Sequence, residues 1–119
     1  MVVSYKDLEV YKKAYSLTKL VYSFAAGYPK EEIYGLTSQI KRAGLSVVLD
    51  IAESYSRKQN INDLKRYLTM AIGSADELNV LIDLSRDLGY LNEDGYEQLY
   101  AMCNDCRKML ISMKEKWRR

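Results

Sequence analysis

Apolar residues recur along this chain at three- and four-residue intervals, in four runs separated by short polar breaks. That spacing is the mark of helices that bury one face. The first run is expected over about 7–26, where Ser4 followed by Asp7 imitates a capping box and Gly27 and Pro29 supply the stop. Its apolar positions make two adjacent stripes. Val10, Ala14, Leu17, Val21 and Phe24 form one; Leu8, Tyr11, Tyr15, Thr18, Tyr22 and Ala25 form the other. A helix with one core contact needs one stripe, so the double width predicts a second partner surface. The second run, about 36–56, carries Leu36, Ile40, Ala43, Val47 and Ile51 inward, with Leu45, Val48 and Ala52 beside them.

After the polar break Arg57-Lys58-Gln59-Asn60, the third run spans about 62–88 on Leu64, Leu68, Ala71, Ala75, Leu78 and Ile82, and Gly89 is its expected C-terminal stop. Asn92 caps the fourth, about 93–117, in which Tyr96, Leu99, Cys103, Cys106, Leu110, Met113 and Trp117 hold the same spacing. Helices of about 20 residues are roughly 30 Å long. Matched lengths and short connections predict an all-α fold, an antiparallel up-and-down four-helix bundle, with residues 1–119 as one domain.

Composition narrows the function classes. A chain of 119 residues, 48% hydrophobic and 29% charged, can bury a core without metals or disulfides. The N-terminus turns charged at Lys6 and Asp7, so no secretory signal is expected, and no run approaches the roughly 18 apolar residues of a membrane span. With Cys103 and Cys106 as the sole cysteines, a cytoplasmic protein without a membrane partner is expected. Net charge is only +2, but its distribution is uneven. Asp76, Glu77, Asp83, Asp87, Glu93, Asp94 and Glu97 stand against Arg86 alone, while Arg107, Lys108, Lys114, Lys116, Arg118 and Arg119 face Asp105 and Glu115. Such a split permits an oriented polar surface; solvated helix faces are its commoner meaning.

The chain has no histidine, which removes the usual acid–base group near neutral pH and the usual metal ligand. No catalytic residue, metal site or cofactor is expected. Cys103 and Cys106 supply two ligands where zinc needs four, and they lie in mid-helix on the apolar stripe, as buried structural thiols do. Asp50, Glu53, Ser74 and Glu77, with Arg42 or Lys41 as cation, are expected to form a polar cluster that fixes helix register. Gly44 and Gly73 fall inside predicted helices at a cost of about 1 kcal/mol each relative to Ala, which predicts a tight crossing of the second and third helices. Eleven tyrosines are many for this length. Tyr11, Tyr15 and Tyr22 share one helix face, and tyrosine suits subunit interfaces, while also being able to stack on unpaired bases.

The motifs, in order, resemble a family. Tyr5-Lys6-Asp7-Leu8-Glu9-Val10-Tyr11-Lys12-Lys13-Ala14, Gly35-Leu36-Thr37-Ser38-Gln39-Ile40-Lys41-Arg42-Ala43, Ile51-Ala52-Glu53, Gly73-Ser74, Glu77 and Asp87-Leu88-Gly89-Tyr90-Leu91 are similar to the bacterial four-helix bundle proteins encoded in intervening sequences of large-subunit ribosomal RNA genes, also labelled S23 ribosomal proteins. Asp50 and Ser54 depart from that family's Asn-Ile-Ala-Glu-Gly, and Gly44 stands where it has Ala. The resemblance implies a ring-like homo-oligomer, typically a pentamer. It also points to a distant relation, the accessory protein of diversity-generating retroelements, whose pentameric barrel binds nucleic acid and a reverse transcriptase.

Two function classes follow, neither enzymatic. In the first, a homo-oligomeric bundle binds RNA or DNA through phosphate contacts drawn from Lys12, Lys13, Lys41, Arg42, Arg57, Lys58, Arg107 and Lys114. In the alternative, the exposed tyrosine and aliphatic face is a protein-binding scaffold that receives a partner helix.

Overall fold

The computed structural model describes residues 2–117. They form four α-helices, α1 (Glu9–Ala25), α2 (Leu36–Ser56), α3 (Ile61–Asp87) and α4 (Glu93–Lys116), preceded by a 3-10 turn at Tyr5–Asp7. No strand occurs among the described residues. Arg118 and Arg119, the end of the basic run, lie outside them.

Each helix packs on two neighbours, in the order α1, α2, α3, α4 and back to α1, with no diagonal pair in contact. Neighbours run antiparallel. Along the α3–α4 seam Arg107 meets Asp76, Asn104 meets Asn79 and Tyr96 meets Asp83, so rising positions on one helix meet falling positions on the other. Leu17, Val21, Ile40, Val47, Ile51, Leu64, Leu68, Leu78, Ile82, Leu99 and Leu110 fill the centre, each almost without solvent contact. All of them sit at the three- and four-residue spacing that places side chains on one face of a helix.

The ends follow from local chemistry. Ser4 and Asp7 do make a capping box, but it closes the 3-10 turn: Lys6 N donates to the Ser4 hydroxyl (3.0 Å), and Ser4 N donates to the Asp7 carboxylate (3.1 Å). Extended backbone at Leu8 then interrupts the helix, so α1 starts at Glu9 instead of Asp7. Asn60 caps α3 by accepting from Asn62 N and Asp63 N, and Asn92 caps α4 by accepting from Gly95 N. Gly89 ends α3 at φ +82, a conformation that strains any side chain, and Tyr90 N donates back to Ser85 O (2.8 Å). Trp117 leaves α4 and packs edge-on against Tyr55.

The two helix glycines differ from the expected α2–α3 crossing. An added Cβ at Gly44 would meet Thr18 of α1 at 3.4 Å, so the close approach joins α1 to α2. An added Cβ at Gly73 would meet nothing within 4 Å. No neighbour inside this chain requires a glycine there.

Candidate functional site

The two stripes of α1 part at the tyrosines. Val10, Ala14, Leu17 and Val21 of the first enter the core, as do Leu8, Thr18 and Ala25 of the second, whereas Tyr15 and Tyr22 remain 50% and 41% exposed. Across from them α2 presents Leu45, 41% exposed, and Leu49, 57% exposed. Between the helices runs an open groove of about 580 Å³ lined by Tyr15, Thr18, Lys19, Tyr22, Ser23, Leu45 and Val48. Its floor is polar only at Thr18, whose single hydroxyl proton is shared between Ala14 O (2.8 Å) and Gly44 O (2.9 Å). That bond fixes the depth of the groove, because it needs the backbone of α2 to come as close as Gly44 allows.

The rim is cationic. Lys19 lies 5.6 Å from the Tyr15 ring centre and Lys41 4.8 Å from that of Tyr22. Such contacts attract the ammonium to the ring face and leave its outer side free to meet an anion. The aromatic line continues toward the N-terminus, with Tyr11 5.9 Å from Tyr15 and Tyr5 5.0 Å from Tyr11. Burial and the neighbouring phenols Tyr5 and Tyr15 push the Tyr11 hydroxyl above its ordinary range. A second groove, lined by Lys6, Tyr11, Lys12, Tyr15 and Ser16, extends the face.

The expected basic pool does not form one patch. Lys12 pairs with Glu9 (3.2 Å), Lys13 with Asp105 (3.7 Å), Arg57 with Glu53 (2.8 Å), Arg107 with Asp76 and Arg42 with Glu77. Lys58 leans on Tyr55 at 4.0 Å, at the far end of α2. Lys114, near the end of α4, is half-buried. Surface ion pairs are weak and exchangeable, but each paired carboxylate stays in place and cancels the local charge that a phosphate would seek.

The expected polar cluster is also divided. Arg42 is held by Gln39 and Glu77, not by Glu53, which turns to Arg57. Asp50 is hydrogen-bonded with Ser74, and its burial raises the carboxyl above the usual range. Arg42–Glu77 and Asp50–Ser74 join α2 to α3 while Glu53–Arg57 stays within α2, so these residues line the α2–α3 seam as separate pairs.

The thiols of Cys103 and Cys106 are buried, and burial pushes both up to about 12. Cys103 Sγ donates to Ala75 O (3.4 Å). Among the described residues no group of His, Cys, Asp or Glu could hold a metal ion, and no helix is long and apolar enough to cross a membrane. Lys19 and Leu49 were not anticipated at the site; the signal for them lay in the double width of α1 and in the apolar positions flanking the inner face of α2.

The sequence model of a family described as 23S rRNA-intervening sequence protein matches residues 6–112. A solved protein with unknown function from the S23 ribosomal protein family of Bacteroides thetaiotaomicron shares the fold, with a TM-score of 0.82 at 22% identity over 90% of this chain and 96% of that one. No curated protein matches the chain.

Proposed function

The chain belongs to the 23S rRNA-intervening sequence protein family, and on that premise we propose that it is a non-enzymatic helical scaffold that works as a homo-oligomer through the tyrosine and aliphatic face of α1 and α2. One observation carries the reading: the groove walled by Tyr15, Tyr22, Leu45 and Val48 is open in the single chain. Contiguous exposed aromatic and aliphatic surface of this kind marks protein contact sites. Tyrosine supplies contact area at small entropic cost, since its ring has few rotamers to lose. The test is the molar mass of the purified protein by light scattering, beside that of a Tyr15→Ser, Tyr22→Ser variant. An oligomer that the double substitution dissociates supports the reading; a wild-type monomer contradicts it.

A second reading, binding of RNA or DNA, draws on Lys19 and Lys41, which sit on the same face against tyrosine rings and without carboxylate partners among the described residues. A ring of copies would repeat both charges around its circumference. A salt titration of binding to structured RNA and to duplex DNA separates the two readings. A steep linear loss of affinity on logarithmic axes favours nucleic acid; absence of binding at low salt leaves the scaffold. Charge reversal at Lys19 and Lys41 should weaken a nucleic-acid complex.

A further inference from the structure

A second surface of the same chain complements this groove. On the outer side of α3, Val80 is 65% exposed and Leu84 42% exposed, and Tyr100 of α4 is 39% exposed. Acids surround them. Asp83 accepts from the Tyr96 hydroxyl (2.8 Å), Asp87 follows one turn later, and Glu93, Asp94 and Glu97 are exposed at the start of α4. No lysine or arginine among the described residues pairs with Glu93, Asp94 or Glu97. The nearby cation Arg86 is drawn to the Tyr96 ring at 4.1 Å and to Asp87.

Gly73 is an independent observation on the same helix. It lies two turns before Val80 on the solvent side of α3, where a glycine weakens the helix and nothing within the chain requires one. A backbone arriving from outside would require it, because the missing Cβ lets two helices approach closely.

We propose that the acidic ridge of α3, from Gly73 through Val80 and Leu84, seats in the tyrosine groove of a second copy of this chain. The inference rests on the assembly reading and names its partner surface. Charge selects the pairing: the groove carries Lys19 and Lys41, and the ridge is flanked by Asp83, Asp87 and Glu97. Apolar contact is matched as well, with Val80 and Leu84 entering between Tyr15, Tyr22 and Leu45. Since groove and ridge are different surfaces, the contact is head-to-tail. Every copy offers one of each, and repetition closes a ring when the rotation between copies permits.

The test uses two full-length variants, one in the groove (Tyr15→Glu, Leu45→Glu) and one in the ridge (Val80→Glu, Leu84→Glu), all at exposed positions. Circular dichroism checks that both stay helical. By light scattering, wild type should be a multiple of the 13.8 kDa chain and each variant a monomer. Mixed one to one, the variants should give a two-chain species, because the intact ridge of the first meets the intact groove of the second. The other junction sets Glu against Glu and stays open. A wild-type monomer overturns the assembly reading and this inference together. A wild-type oligomer with unaltered variants overturns only this pairing, as do monomeric variants that fail to combine.

Discussion

Helices α4 and α1 are both amphipathic, yet they use their apolar residues differently. In α4 the residues Leu99, Cys103, Cys106 and Leu110 make one stripe that vanishes into the core. In α1 an equally buried stripe, Val10, Ala14, Leu17 and Val21, has beside it a row of tyrosines that the chain itself leaves in water. The width of an apolar face, more than its hydrophobicity, distinguishes a helix satisfied by its own domain from one with a further contact to make.

The sharpest break of that comparison is truncation. Leu99→Ala removes a side chain without solvent contact and should destabilise the fold by about 2–5 kcal/mol in urea unfolding. Leu45→Ala should cost the isolated chain well under that and act on association instead.

The thiols of α4 sharpen the same contrast through pH. Burial raises both from 9.0 to about 12, so the native state keeps two protons that the unfolded chain releases. Their stabilising effect is therefore whole below pH 9 and falls between about 9 and 12, by ~1.4 kcal/mol per pH unit for each thiol. Alkaline unfolding of wild type should be steeper than that of Cys103→Ala, Cys106→Ala. At pH 8 neither thiol should react with a disulfide reagent faster than the protein unfolds.

Glycines give a smaller pair. Gly44→Ala sets a methyl at ordinary contact distance from Thr18, 3.4 Å, and should leave stability within about 1 kcal/mol of wild type in urea unfolding. Gly73→Ala meets open space within the chain and should stabilise a monomeric ridge variant by ~1 kcal/mol through helix propensity. In the assembled wild type that gain should be offset by weaker association.

Smallest is Asp50→Asn. Burial raises this carboxyl, so the neutral form is favoured in the fold and stability is lost as pH rises through the folded value. The variant should melt slightly higher than wild type at pH 7, with the difference gone below pH 3.8, the ordinary value of the group.

The inward stripes of the helices were legible in the sequence because burial imposes a strict period on them. The groove was half legible. Tyr11, Tyr15 and Tyr22 announced a second face on α1, but Leu45 read as an extension of the core, since periodicity cannot tell a core-edge residue from an exposed one. The ion pairs were not legible, because surface charges choose partners by local rotamer geometry, as when Arg42 takes Glu77 over Glu53. Gly73 misled for a related reason: a helix glycine signals close approach without saying from which side.

The central claim, that the α1–α2 tyrosines are covered in solution, is tested most directly by the rate of tyrosine nitration, residue by residue, in wild type and in the Val80→Glu, Leu84→Glu variant. Tyr34, 92% exposed and outside the lining of the groove, serves as the internal reference. The account predicts that Tyr15 and Tyr22 react several-fold more slowly in wild type than in the variant, with Tyr34 unchanged. Equal rates for Tyr15 and Tyr22 in the two proteins would contradict it.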